Sequence, residues 1–107
     1  MSIRNLEPKG LWNNFYELTQ IPRPSKKEEK VVAFLKEFGE KLGLETIVDK
    51  VGNVIIRKPA TPGYEDRMGV VLQAHVDMVP QKNSDKVHDF VPSLLCGTCT
   101  LYVLINL

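Results

Sequence analysis

Residues 68–77 read Met68-Gly69-Val70-Val71-Leu72-Gln73-Ala74-His75-Val76-Asp77. The run from Met68 to Val76 is nearly continuous in apolar side chains, the pattern of a strand covered on both faces in a mixed or parallel sheet. Side chains alternate across a strand, so His75 and Asp77 share one face while Val76 takes the other. An imidazole and a carboxylate at the end of such a strand would project together into the crevice where open α/β sheets place their ligands. A buried carboxylate is costly without a compensating partner. A cation held by His75, with Asp77 fixing the site directly or through the ring, would supply one. The pair alone does not settle this, because zinc needs three or four protein ligands and a strand-end His is commonly a hydrogen-bonded structural residue.

The flanking sequence fits an α/β domain. Leu6, Leu11, Phe15, Leu18 and Ile21, with Trp12 and Tyr16 beside them, form a helical stripe over about residues 8–20 that Pro22 and Pro24 end. This aromatic cluster reads as core packing. Ser25 and Glu28 match a capping box opening a second helix. That helix carries Val31, Phe34, Leu35, Phe38 and Leu42 on one side and stops at Gly43. Leu44–Val48 and Val54–Arg57 read as a hairpin turned by Val51-Gly52-Asn53, where Asn and Gly tolerate positive φ.

Composition excludes several classes. The chain has 107 residues, 43% hydrophobic and 25% charged, with a formal net charge of +1. That balance offers no field to draw nucleic acid or an anionic membrane surface. Lys26, Lys27 and Lys30 alternate with Glu28 and Glu29, as on a solvated helix face. No stretch approaches the roughly 18 apolar residues of a membrane span. The first ten residues lack the apolar core of a signal peptide. A cytoplasmic location is expected, with Cys96 and Cys99 as thiols or metal ligands rather than a structural disulfide.

The succession IPRPS-KKEE, DKVGNVIIRKPAT-G, VVLQAHVDMV-PQKN and HDF, over about residues 8–90, resembles the N-terminal part of the aminoacyl-histidine dipeptidases. These are also called peptidase D or cytosol non-specific dipeptidases, and are dinuclear-zinc exopeptidases related to aminoacylase and carnosinase. The resemblance implies that His75 is a metal ligand and that Asp77 is the catalytic-site residue that orients it. It implies two zinc ions, with manganese or cobalt as possible substitutes, a dipeptide substrate and a homodimer in full-length relatives. A bridging aspartate and a Glu pair supply the remaining chemistry in that family. The 22–25 segment would serve structure.

Residues 1–90 are therefore expected to be the N-terminal part of a metallopeptidase catalytic domain. Residues 91–107, VPSLLCGTCTLYVLINL, match nothing in the family pattern and contain no charged side chain. They are expected to be a frameshifted or truncated continuation, leaving an inactive fragment of marginal stability whose 68–76 strand lacks neighbours. Cys96-Gly97-Thr98-Cys99 offers an alternative, a redox or zinc-binding module. The β-like run after it provides no helix to acidify a thiol, and no second Cys pair completes a zinc knuckle. A non-catalytic interaction domain that buries Leu94, Leu95, Leu101, Val103 and Leu104 against a partner is the third reading.

Overall fold

The computed structural model describes residues 2–81, 83–85 and 87, and the backbone of residues 100–106. After a short 3-10 turn at Ile3–Asn5 come α1 (Lys9–Thr19), α2 (Glu29–Lys41), β1 (Glu45–Val48), β2 (Val54–Lys58), β3 (Gly69–His75) and β4 (Thr100–Asn106). The α/β reading therefore holds. The four strands form one mixed sheet in the order β1-β2-β4-β3. β1 and β2 pair antiparallel, β2 and β4 parallel, and β4 and β3 antiparallel.

The core is the seam between α2 and the sheet. Val31, Leu35 and Gly39 recur at four-residue intervals, so one face of α2 is buried. Val31 and Leu35 meet Val54 and Ile56, alternate residues of β2, together with Val76 beyond the end of β3. Gly39 lets the helix approach β1: a Cβ there would lie 2.1 Å from Thr46 Oγ1. The helix ends as expected, with Gly43 at φ 69° in the left-handed conformation that favours glycine.

The hairpin turn is built around Asp49. Its Oδ1 accepts the Val51 and Asn53 N–H groups, and its Oδ2 accepts the Asn53 side-chain amide at 2.8 Å. Gly52 supplies the positive φ, at 92°. Asn53 acts through its side chain instead. These bonds hold the Asp49 carboxyl below the usual carboxylate range, the Asn53 amide contributing most.

Five expectations are corrected. Among the described residues β3 is an edge strand, and Val71 and Leu72, on opposite faces, are each more than half exposed. Its apolar run calls for cover that the described residues do not supply. It does have one neighbour, β4, which inserts between β2 and β3. The aromatic stripe of α1 is core only at its C-terminal end: α1 buries no residue and Leu11 and Phe15 lie at the surface, while Leu18 and, past the helix, Ile21 pack half-buried against the core. Its inner edge, Phe15 and Leu18, meets Phe34, Leu35 and Phe38 of α2 across an open groove. The 25–28 segment forms no capping box, and Glu28 is 2% exposed rather than on a solvated face. Cys96, Cys99, His88, Leu94 and Leu95 lie outside the described residues.

Candidate metal-ligand site

β3 delivers His75 at its last position. Beyond it, Val76 turns into the core and Asp77 returns to the His75 face, as strand alternation requires. His75 Nδ1 lies 2.9 Å from Asp77 Oδ1. The His75 side chain is 75% exposed, whereas that of Asp77 is 10% exposed. The carboxylate is thus sheltered and the ring projects into open space. A carboxylate only accepts, so Nδ1 carries the hydrogen. Nε2 has no partner among the described residues and faces outward, carrying the lone pair in the tautomer that this contact selects.

The second oxygen of Asp77 is occupied as well. Ser25 Oγ donates to Asp77 Oδ2 at 2.6 Å across 52 residues of sequence. The same loop is stitched to the strand end by the main chain. Met78 N donates to Arg23 O at 2.8 Å and Ser25 N donates to Met78 O at 2.9 Å, a parallel bridge of Pro24 with Met78. Pro22 and Pro24 keep this segment extended, which lets it run beside the strand. Arg23 Nη1 reaches back to Leu18 O at 2.6 Å and so ties the loop to the end of α1. Burial holds the Arg23 guanidinium below its usual pKa.

These contacts hold the Asp77 carboxyl below the usual carboxylate range. The Ser25 hydroxyl is the largest cause and His75 the next, and both outweigh desolvation. Ser25 is the residue that sequence reasoning placed elsewhere. Ser-x-x-Glu is a local helix signal, and nothing local announces a partner 52 positions away. The two prolines were the available hint, since an extended segment can pair with a strand.

The donor set fits part of a metal centre. One imidazole with a fixed tautomer and an open Nε2 is a ready ligand. No group of three His, Cys, Asp or Glu side chains that could hold a metal occurs among the described residues.

No family model matches the sequence. The cytosol non-specific dipeptidase of Escherichia coli (strain K12) is 49% identical over 88 residues, 82% of this chain and 18% of its own length. A Pyrococcus abyssi protein named for LysW-lysine and LysW-ornithine hydrolysis is 41% identical over 66 residues, 60% of this chain and 18% of its own. Among solved structures, the aminoacylhistidine dipeptidase of Vibrio alginolyticus superposes with a TM-score of 0.81 at 34% identity, covering 98% of this chain and 29% of that one. The chain spans less than a third of the length of these relatives. The chain is a peptidase-D-like segment that matches a fragment of the aminoacylhistidine dipeptidase fold.

Proposed function

We propose that this segment supplies one metal ligand, His75, and its orienting acid, Asp77, to a metal-dependent dipeptidase. The observation that carries the reading is the sheltered Asp77 carboxylate 2.9 Å from Nδ1 of a ring whose other nitrogen is exposed. A carboxylate on one ring nitrogen makes the other a better and better-aimed donor. A divalent cation bound there would lower the pKa of a coordinated water and polarise the scissile carbonyl. The chain's own residues do less: Asp77 holds the hydrogen on Nδ1, and His75 offers Nε2. Zinc is the proposed metal, with manganese or cobalt as substitutes that imidazole and carboxylate donors also suit.

Dipeptides are the proposed substrates, in keeping with the names of the E. coli and Vibrio relatives. The Pyrococcus protein shares the segment under a name for other substrates, so side-chain preference belongs to parts of these proteins other than this one. A cytosolic setting rests on the E. coli relative's name. No helix among the described residues is long and apolar enough to cross a membrane. Homodimerisation is proposed for the full-length relatives only. We place the N-terminal metallopeptidase part at residues 1–90 and read 91–107 as an atypical apolar tail. Support comes from the absence of charged side chains in 91–107.

The test is a zinc titration of the purified chain followed through the His75 ring resonances, beside an assay with alanyl-histidine. Zinc should shift the His75 signals and not those of a His75→Gln control, with no hydrolysis in either. Unmoved His75 signals at saturating zinc would refute the ligand role. Turnover abolished by His75→Ala would refute the need for groups outside the described residues.

A further inference from the structure

The loop between α1 and α2 holds a buried acid that the proposed chemistry does not use. Glu28, 2% exposed, precedes the first residue of α2, and its Oε1 accepts the Lys26 N–H at 2.7 Å. Lys26 sits at φ 71°, a left-handed conformation unusual for a side chain of its size. Burying a carboxylate to hold a turn in an unfavoured conformation needs a reason. The turn follows Ser25 directly, and its shape sets where the Ser25 hydroxyl points. That hydroxyl lies 2.6 Å from Asp77 Oδ2, on the carboxylate whose Oδ1 faces His75.

We propose that Ser25 and Glu28 are positioning residues for the metal-ligating imidazole, Glu28 fixing the 25–28 turn and Ser25 locking the Asp77 carboxylate so that only Oδ1 faces the ring. The inference rests on the ligand role proposed for His75. It makes Asp77 a group with both oxygens committed, one to the serine hydroxyl and one to the imidazole. Asp77 then acts on the cation through the ring and not as a ligand itself. Without the Ser25 hydroxyl, the carboxylate is free to rotate about its last torsion, which is broad and two-fold. It then offers either oxygen to the ring or to water. The extended Pro22–Pro24 segment and the two main-chain bonds to Met78 bring the loop to the strand, but none of them reaches the carboxylate.

The experiment is 15N NMR of the His75 ring in the full 107-residue chain, above the imidazole titration range, combined with zinc titration. In the wild type the hydrogen should sit on Nδ1, and zinc should move Nε2. Ser25→Ala, and Ser25→Cys with its weak donor, should each shift the ring toward a tautomer mixture and weaken zinc binding about 10-fold or more, as loss of a ligand's outer partner does. Ser25→Thr, which keeps the hydroxyl, should restore both. Glu28→Ala should repeat the Ser25→Ala result, while Glu28→Gln, still able to accept from Lys26, should not. Backbone amide shifts of β1 and β2 report whether each variant is folded, and Ser25→Thr carries the comparison should the alanine variant unfold. A wild-type tautomer in folded Ser25→Ala with unchanged zinc affinity overturns the proposal. Zinc that leaves the wild-type His75 unmoved overturns the ligand role instead, and the tautomer shifts then still decide whether Ser25 and Glu28 position the ring.

Discussion

Gly39→Ala is a direct test of how α2 is seated. In an exposed helix interior the change would stabilise by about 1 kcal/mol, the difference in helix propensity. Here the new Cβ would fall 2.1 Å from Thr46 Oγ1 and 3.2 Å from both Cβ and Cγ2 of Thr46. The threonine must rotate or β1 must retreat. Rotation gives up the bond from Thr46 Oγ1 to Leu44 O, 3.1 Å long, worth about 1 kcal/mol. Overpacking a fitted seam costs a further ~1–3 kcal/mol. Net destabilisation should therefore be about 1–3 kcal/mol, read from urea unfolding followed by far-UV circular dichroism. In a domain of this size each kcal/mol corresponds to roughly 4–8 °C in Tm. Thr46→Ala removes two of the three obstructing atoms, so in that background Gly39→Ala should become nearly neutral or mildly stabilising. The cycle then shows a coupling of at least about 1 kcal/mol. If Gly39→Ala stabilises the wild-type chain as it would an exposed helix, α2 does not lie on β1 as described. The placement of the loop leading into α2, and with it of Ser25, would fall too.

Val31 is fully buried in the core, so Val31→Ala should cost about 2 kcal/mol, measurable as a fall in the urea midpoint at constant slope. Lys26→Gly should be tolerated or slightly stabilising, within about 1 kcal/mol, because glycine accepts the left-handed conformation freely; a loss of several kcal/mol would mean the Lys26 side chain itself matters. Asp49 has a folded pKa below its unfolded one, so its stabilisation is present above the ordinary carboxylate range and lost as pH falls through the folded value. Asp49→Asn should flatten stability against pH on that acid side, and an unchanged slope in unfolding scans would refute the turn's role. Deleting residues 100–107 removes the strand between β2 and β3 and should abolish cooperative unfolding; a variant that keeps the wild-type transition would show that β4 contributes nothing.

What the sequence displays and what it conceals divide along the range of the interactions. Both helices, the Gly43 stop and the hairpin rest on contacts within a few residues, and composition shows them. The common face of His75 and Asp77 follows from alternation alone. The insertion of β4 between β2 and β3 depends on a pairing some 30 positions away from β3, which no local pattern encodes. Ser25 shows the same limit more sharply. Its Ser-x-x-Glu context is a sound local signal, yet the hydroxyl is spent on Asp77 and the glutamate on Lys26.

The apolar run of β3 is a different kind of mismatch. Apolarity records that a surface needs covering and says nothing of which residues cover it. Val71 and Leu72 stand more than half exposed on opposite faces of a strand whose sequence suits burial twice over. The relatives that share this segment are more than three times its length, enough chain to supply such cover. The orientation of His75 needs none of that. Asp77, Ser25, Glu28 and the Pro24–Met78 bridge all lie among the described residues and satisfy one another there. The aiming of the His75 ring is thus a property of this segment, whereas no group of three side chains able to hold a metal occurs among the described residues. A metal titration of the chain should accordingly find a correctly oriented imidazole with weak affinity, rather than a disordered one with none.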